Sequence, residues 1–225
     1  MRKQIFFILL LILNVNILNA WKITLTVSEP DAEIYENGIK LGTSPQEIKI
    51  GNHECVEIEI RKIGFLTEKR KWCIGMDKQG IPEPNKKEFI PLRKDEAYNS
   101  SAKTDNANID FAVEVNKKLS EDAAWKLGNQ IVKNYIDDII QSDASTGYLM
   151  TAWKVQTFPS RTIRTRIIMK LSNSNPISYK IKIESQYSEE ESVSAKADEK
   201  FIDWDRVLKK YDNLIPEFQS RLGNK

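Results

Sequence analysis

The sequence predicts two domains, an all-β small sandwich followed by an α+β domain of order β-α-β-β-β-α in a helix-grip-like arrangement. Three observations predict it. Short apolar runs of period two, separated by tight-turn residues, fill the stretch from Trp21 to about Leu92. The next stretch, Arg93 to Asn108, is polar and charged and has no apolar period. Beyond it come an alternating run, a helical-period segment, three more alternating runs and a second helical stripe.

Residues 1–20 read as a signal peptide. Met1-Arg2-Lys3-Gln4 is basic, and an unbroken apolar run from Ile5 reaches Leu13 before Asn14 and Asn16 dilute it. The run falls short of the roughly 20 apolar residues that a spanning helix needs, so cleavage after Ala20 is expected to leave no stable membrane anchor. Leu18-Asn19-Ala20 resembles the start of a lipobox, but Trp21 stands where the lipidated cysteine would be. The expected location is therefore exported, either periplasmic or at the cell surface and beyond it.

Lys and Arg total 34 against 32 Asp and Glu in the 225 residues, and removal of Arg2 and Lys3 brings the two into balance. That balance argues against a nucleic-acid binder, which needs a dominant basic surface. With 40% apolar and 29% charged residues, the chain is a globular candidate and not a disordered acidic one. Its one histidine, His53, and two cysteines leave little for chemistry. An ordinary zinc site, a Ser-His-Asp triad or a Cys-His dyad would each have to use His53, a turn residue beside Asn52 with no recognisable partner. No catalytic, cofactor-binding or metal-binding residue is assigned. Asp137-Asp138 and Glu189-Glu190-Glu191 are adjacent carboxylates, not a pair facing across a cleft, so hydrolase chemistry is not expected.

In the first domain, residues 21–92, Ile23, Leu25 and Val27 alternate with Lys22, Thr24 and Thr26 until Pro30-Asp31 breaks the run. Ile34-Tyr35 opens a second strand, and Asn37-Gly38 is a two-residue hairpin turn that tolerates positive φ at both positions. Ile39 and Leu41 return, Gly42-Thr43-Ser44-Pro45 forms a loop, Ile48 and Ile50 alternate again, and Gly51-Asn52 turns the chain into Cys55–Ile60. About seven short strands result.

If Cys55–Lys62 and Thr67–Ile74 form a hairpin about Gly64, opposed residues have numbers summing to 128, which sets Cys55 against Cys73. The same register sets Glu57 against Lys71 and Glu59 against Lys69, pairs that favour antiparallel neighbours. It also sets Ile58 against Arg70 and Ile60 against Glu68, a mismatch that a bulge near the turn would relieve. A disulfide between Cys55 and Cys73 is the preferred reading, and two separately buried thiols are the alternative.

The run Ser28-Glu29-Pro30-Asp31-Ala32-Glu33-Ile34-Tyr35-Glu36-Asn37-Gly38, then Gly42-Thr43-Ser44-Pro45 and Lys62-Ile63-Gly64-Phe65, resembles a PEGA domain over about fifty residues. Asp31-Ala32 stands where that family usually has Gly-Ala after the proline. The resemblance implies a small β-sandwich of envelope and extracellular proteins that binds surface polysaccharide or protein, and it implies no catalytic residue. Tyr35, with Trp72 and Phe65, offers a sugar-stacking platform. Large residues of a small sandwich more often fill its core, and that reading is preferred.

Residues 93–108 are expected to be a mobile linker. In the second domain, 109–225, Ile109, Phe111, Val113 and Val115 alternate as a strand. Ser120 caps a helix whose first turn holds Glu121 and Asp122 and whose apolar residues Ala124, Leu127, Ile131, Tyr135 and Ile139 carry it to about Gln141. Strands are expected over Tyr148–Thr157, Thr162–Ser172 and Ile177–Tyr187, then an acidic Ser-rich loop, then a long helical stripe from Trp204 to Leu222 that Pro216 must kink or restart. This order, with Ala124-Trp125 and Ser142-Asp143-Ala144-Ser145-Thr146-Gly147-Tyr148-Leu149, is similar to the BamC-like domains of outer-membrane assembly lipoproteins. The similarity implies a helix-grip fold and a protein-interaction role.

Along Thr162–Ser172, Ile163, Thr165, Ile167, Met169 and Leu171 face one way, while Arg164, Arg166 and Lys170 face the other. Lys180 and Lys182 repeat the basic side in the next strand. The residues read as a ligand or partner surface are therefore Arg164, Arg166, Lys170, Lys180 and Lys182, with Tyr35 in the first domain. A solvated sheet face with interspersed acids is the preferred alternative. Trp153 is expected to pack under a helix. The chain is expected to be a non-enzymatic exported cell-envelope protein, a protein-interaction or structural module whose partner is an envelope protein or a cell-surface polysaccharide. The alternative is a carbohydrate- or cell-wall-binding protein.

Overall fold

The computed structural model describes residues 20–75 and 83–223, so the signal peptide expected over residues 1–20 lies outside the described residues except for Ala20. The described chain is predominantly β-sheet and divides into two compact units. Residues up to Ile63 with Thr67–Leu92 make the first, and Gly64–Leu66 with the chain from Arg93 onward make the second.

Among the described residues the first unit has seven strands: β1 (Trp21–Val27), β2 (Glu33–Glu36), β3 (Ile39–Thr43), β4 (Gln46–Ile50), β5 (Cys55–Arg61), β6 (Glu68–Cys73) and β7 (Lys87–Ile90). They form a three-stranded sheet, β4-β1-β7, and a four-stranded one, β3-β2-β5-β6. Alternation decides which side chains are covered. Ile23, Leu25, Ile48 and Ile50 from the first sheet and Ile34, Ile58 and Ile60 from the second share one core and are buried, with Trp72 and Val56 beside them. At the β2–β3 turn Asn37 and Gly38 have φ of 50° and 82°, the positive pair a two-residue hairpin needs. The Asn37 side chain also accepts the Glu57 backbone N–H at 2.9 Å, tying the turn to β5.

The β5–β6 ladder runs from Cys55↔Cys73 through Glu57↔Lys71 and Glu59↔Lys69 to Ile60↔Glu68 with no shift of register. The disulfide Cys55–Cys73 closes its open end, with the two Cα atoms 4.1 Å apart. No bulge relieves the Ile58–Arg70 and Ile60–Glu68 mismatch. Instead Glu68, buried on edge strand β6, takes an ion pair from Arg70 two residues on at 3.1 Å.

The second unit contains α1 (Glu96–Asn99), β8 (Ser101–Lys103), β9 (Phe111–Glu114), α2 (Glu121–Tyr135), β10 (Ile139–Asp143), β11 (Tyr148–Thr151) and β12 (Lys154–Phe158). It continues with β13 (Arg161–Ser174), β14 (Ile177–Ser188), β15 (Ile202–Asp203), β16 (Arg206–Leu208) and α3 (Leu214–Arg221). The main sheet has the path β10-β11-β13-β14-β15, with β12 on β13 and β9 on β14. Its inner face, Leu149, Ile163, Ile167, Met169, Tyr179, Ile181 and Ile183, forms one core with Ile131 of α2 and Phe218 of α3. Gly128 sets the approach of α2, because a Cβ there would lie 2.6 Å from the Met169 sulfur. Ser120 caps α2 by accepting the Ala123 N–H. Among the described residues no helix is long and apolar enough to cross a membrane.

Four expectations are corrected. Residues 93–108, expected to be a mobile linker, hold regular structure: buried Asp95 caps α1 and pairs with Arg161 at 3.1 Å, while β8 pairs with β16 about a hundred residues away. Helix α2 stops at Tyr135, where Ile136 turns to extended backbone, and Ile139–Asp143 is a strand. Ile139 fits helical spacing, but here it is paired with Thr151. The strand expected over Tyr148–Thr157 is broken at Ala152-Trp153. The stripe from Trp204 to Leu222 is a short strand, a 3-10 turn and only then α3, with Pro216 in the first turn, where its missing N–H has no helical partner to lose.

Candidate functional site

Arg164, Arg166 and Lys170 of β13 and Lys180 and Lys182 of β14 lie on the outer face of one ladder, opposite the core, with Arg164↔Gln186, Arg166↔Glu184, Ile168↔Lys182 and Lys170↔Lys180 directly opposed. The structure separates them into two ends. At one end the segment 189–201, which follows β14, lies over the face as a strap. Thr162 donates to the Glu190 carbonyl and accepts from the Val193 N–H, and Glu191 accepts from the Ser160 N–H. Val193 and Phe201 of the strap are themselves buried.

Arg164 is the centre of this covered end. It is only 3% exposed, which overturns its expected place on an open basic surface. Its Nε and Nη2 donate to Gln186 at 2.9 and 2.6 Å, and its Nη1 donates to the Ala195 carbonyl at 2.7 Å and to Asp198 at 2.6 Å. The guanidinium lies 4.2 Å from the Phe201 ring centroid and 4.3 Å from that of Trp153. Arg166 also stacks on Trp153 at 4.3 Å, so two arginines flank one indole. Trp153 thus packs on arginines of the outer face, not under a helix, and the strand break at Ala152-Trp153 is where it enters.

The other end is open. Arg166 and Lys182 both donate to Glu184. Burial alone would raise the Glu184 carboxyl, but the bonds from Lys182 and Arg166 outweigh it and hold the group below the usual carboxylate range. Lys170 reaches Asp110 at 2.7 Å. Lys180, opposite Lys170 in β13 and Ala112 in β9, has no carboxylate partner among the described residues. Half-buried Ile168, Met150 and Tyr148 lie on the same face.

Tyr35 belongs to the first unit. Its hydroxyl donates to Glu33 at 2.7 Å and its ring is covered by Arg61 at 4.4 Å, so one face is already occupied. Trp72 is buried in the core of the first unit and so offers no exposed face for stacking, and Phe65 belongs to the second unit. Beside Tyr35, an open pocket of about 510 Å³ is lined by Asp31, Glu33, Arg61, Lys62, Ile63 and Thr67. Its charges are largely bonded to one another: Lys62 to Glu29 and Asp31, Lys40 to Glu33, Arg61 to Glu59.

His53 is exposed in its turn, within 3.1 Å of the Gly75 carbonyl. Asp137 and Asp138 are exposed, and Glu190 and Glu191 serve the strap. Among the described residues no three His, Cys, Asp or Glu side chains come together as a metal site. Sequence reasoning missed Gln186, Asp198 and Phe201, and it placed Trp153 under a helix. The signal that was present is charge complementarity between the acidic 189–199 run and the arginines of β13. In comparison with known proteins, no family model matches the chain, and no curated protein and no solved structure matches it at a significant level.

Proposed function

We propose that the chain is a non-enzymatic exported cell-envelope protein that acts as a protein-interaction or structural module. Residues 21–92 are its PEGA-like β-sandwich and 109–225 its helix-grip-like domain, readings supported by the paired sheets of the first unit and by α2 and α3 on one face of the second unit's sheet. The observation that carries the interaction role is the open end of the β13–β14 face. Cations and half-buried apolar side chains stand there together on long, rigid strands. The Cys55–Cys73 bond supports export, because such bonds persist in oxidising compartments.

Cosedimentation tests this. The protein is expected to bind membrane vesicles that carry their proteins and to lose that binding when the vesicles are treated with protease. Binding to neither vesicles nor cell-wall sacculi overturns the proposal. The pocket beside Tyr35 supports a second reading, a carbohydrate- or cell-wall-binding protein, for which sacculi alone bring the protein down and Tyr35→Ala weakens the binding.

A further inference from the structure

We infer that the open end of the outer β13–β14 face is a docking site for an acidic, extended peptide segment of a protein partner, with an aliphatic side chain among its carboxylates. The inference rests on the interaction-module reading and names the chemistry of the partner.

The protein's own strap shows what this face accepts. At the covered end an acidic stretch of the same chain is held by one carbonyl and one carboxylate on Arg164, by two further backbone bonds to Thr162, and by buried Val193 and Phe201. That is a polypeptide with carboxylates for the cations and an apolar residue for the sheet. The open end continues the same two strands with the same ingredients. Arg166, Lys170, Lys180 and Lys182 are four cations; Glu184 and Asp110 are bonded to them, and Glu114 of β9, opposed to Ser178, is a third carboxylate on the face, which leaves a surplus of one cation. The surplus attracts negative charge, and Lys180 is the cation with no carboxylate of its own among the described residues.

Between the cations runs an apolar strip, with Ile168 opposed to Met150 on one side and to Lys182 on the other, and Tyr148 opposed to Lys170. A polyanion without apolar groups satisfies the lysines and leaves that strip uncovered. A peptide that alternates carboxylates with aliphatic residues satisfies both, because its side chains reach a surface at the period of a strand.

The test is fluorescence anisotropy of a labelled synthetic peptide of about eight residues, a strand's length, alternating Glu and Val, titrated with the full chain as the cell processes it. An all-Glu peptide and a Lys/Val peptide are the comparisons. Saturable binding of the Glu/Val peptide is expected, weakened about tenfold by Lys170→Glu with Lys180→Glu and severalfold by Lys180→Ala, whose ammonium has no carboxylate partner among the described residues. Circular dichroism unchanged from the parent establishes that each variant is folded. No binding of the Glu/Val peptide, or equal binding by Lys180→Ala and the parent, overturns the inference. All-Glu binding as tight as Glu/Val also overturns it, in favour of a polyanion. If the double charge reversal still binds protein-bearing vesicles like the parent, the site fails while the module reading stands. Loss of vesicle binding together with peptide binding supports both.

Discussion

Two antiparallel ladders, β5–β6 in the first unit and β13–β14 in the second, carry the same signature of apolar residues alternating with charged ones, yet their charges have different fates. In β5–β6 the outward cations remain exposed, and half-buried Glu59 meets Lys69 at 3.8 Å and Arg61 at 2.7 Å. In β13–β14 the outward charges are graded, from Arg164 closed under the strap to Lys170 at 42% side-chain exposure. Alternation tells which side a residue takes. Whether that side is wet depends on what the rest of the chain lays over it.

The largest effect expected from breaking this comparison is in the first ladder. Cys55→Ser with Cys73→Ser removes a cross-link between residues 18 apart, a closure worth about 3 kcal/mol in the chain-entropy account. A fall of that size in the urea-unfolding free energy is expected, and a change below about 1 kcal/mol would show that the ladder holds itself. In the second ladder Arg164→Ala leaves Gln186 and the Ala195 carbonyl without their donor and removes the stack on Trp153 and Phe201. A loss of about 2 kcal/mol is expected, with changed Trp emission and earlier protease cutting between 189 and 201. Parental stability and cutting would show that the strap does not depend on that guanidinium.

A smaller, pH-dependent effect sharpens the contrast. Glu184 titrates lower in the folded chain than in the unfolded one. The stability it contributes is therefore present above the unfolded value, about 4.3, and is lost as pH falls through the folded one. Glu184→Gln should flatten the acid limb of urea midpoint against pH. An unchanged limb would show that Arg166 and Lys182 do not hold the carboxylate in solution. The smallest effects belong to the charges that the fold uses least: exposed Lys69→Ala and half-buried Lys180→Ala should each stay within about 0.5 kcal/mol of the parent. A larger loss from Lys180→Ala would mean that the end described as open is bonded in solution.

The β5–β6 register was legible because it is local. One turn joins the strands, and two cysteines and two opposite-charge pairs agree on a single alignment. The Asn37-Gly38 turn was legible for the same reason, and so were the start of α2 at Ser120 and the alternation of β13 and β14. The strap was not. Its anchors are main-chain groups and single residues such as Val193, which leave no period in the sequence. Nor was β8, whose partner β16 lies far along the chain, so residues 93–108 read as a linker. Ile139 satisfies a helical stripe and a strand equally, and tertiary pairing with Thr151 decides between them. For the candidate surface, sequence assigned five basic residues to one side of two strands. It could not see that Arg164 is roofed over or that Tyr35 is capped by Arg61.

The pair of buried Glu68 and exposed Arg70 on edge strand β6 bears on how crowded copies of this protein behave. An incoming strand that added to β6 would have to lay its own side chains against a carboxylate and a guanidinium on the very side where the rest of the sheet is greasy. Stacking of copies through that edge, the first step toward fibres, is thereby discouraged, and the mismatch in the ladder serves as a guard against aggregation at high local concentration.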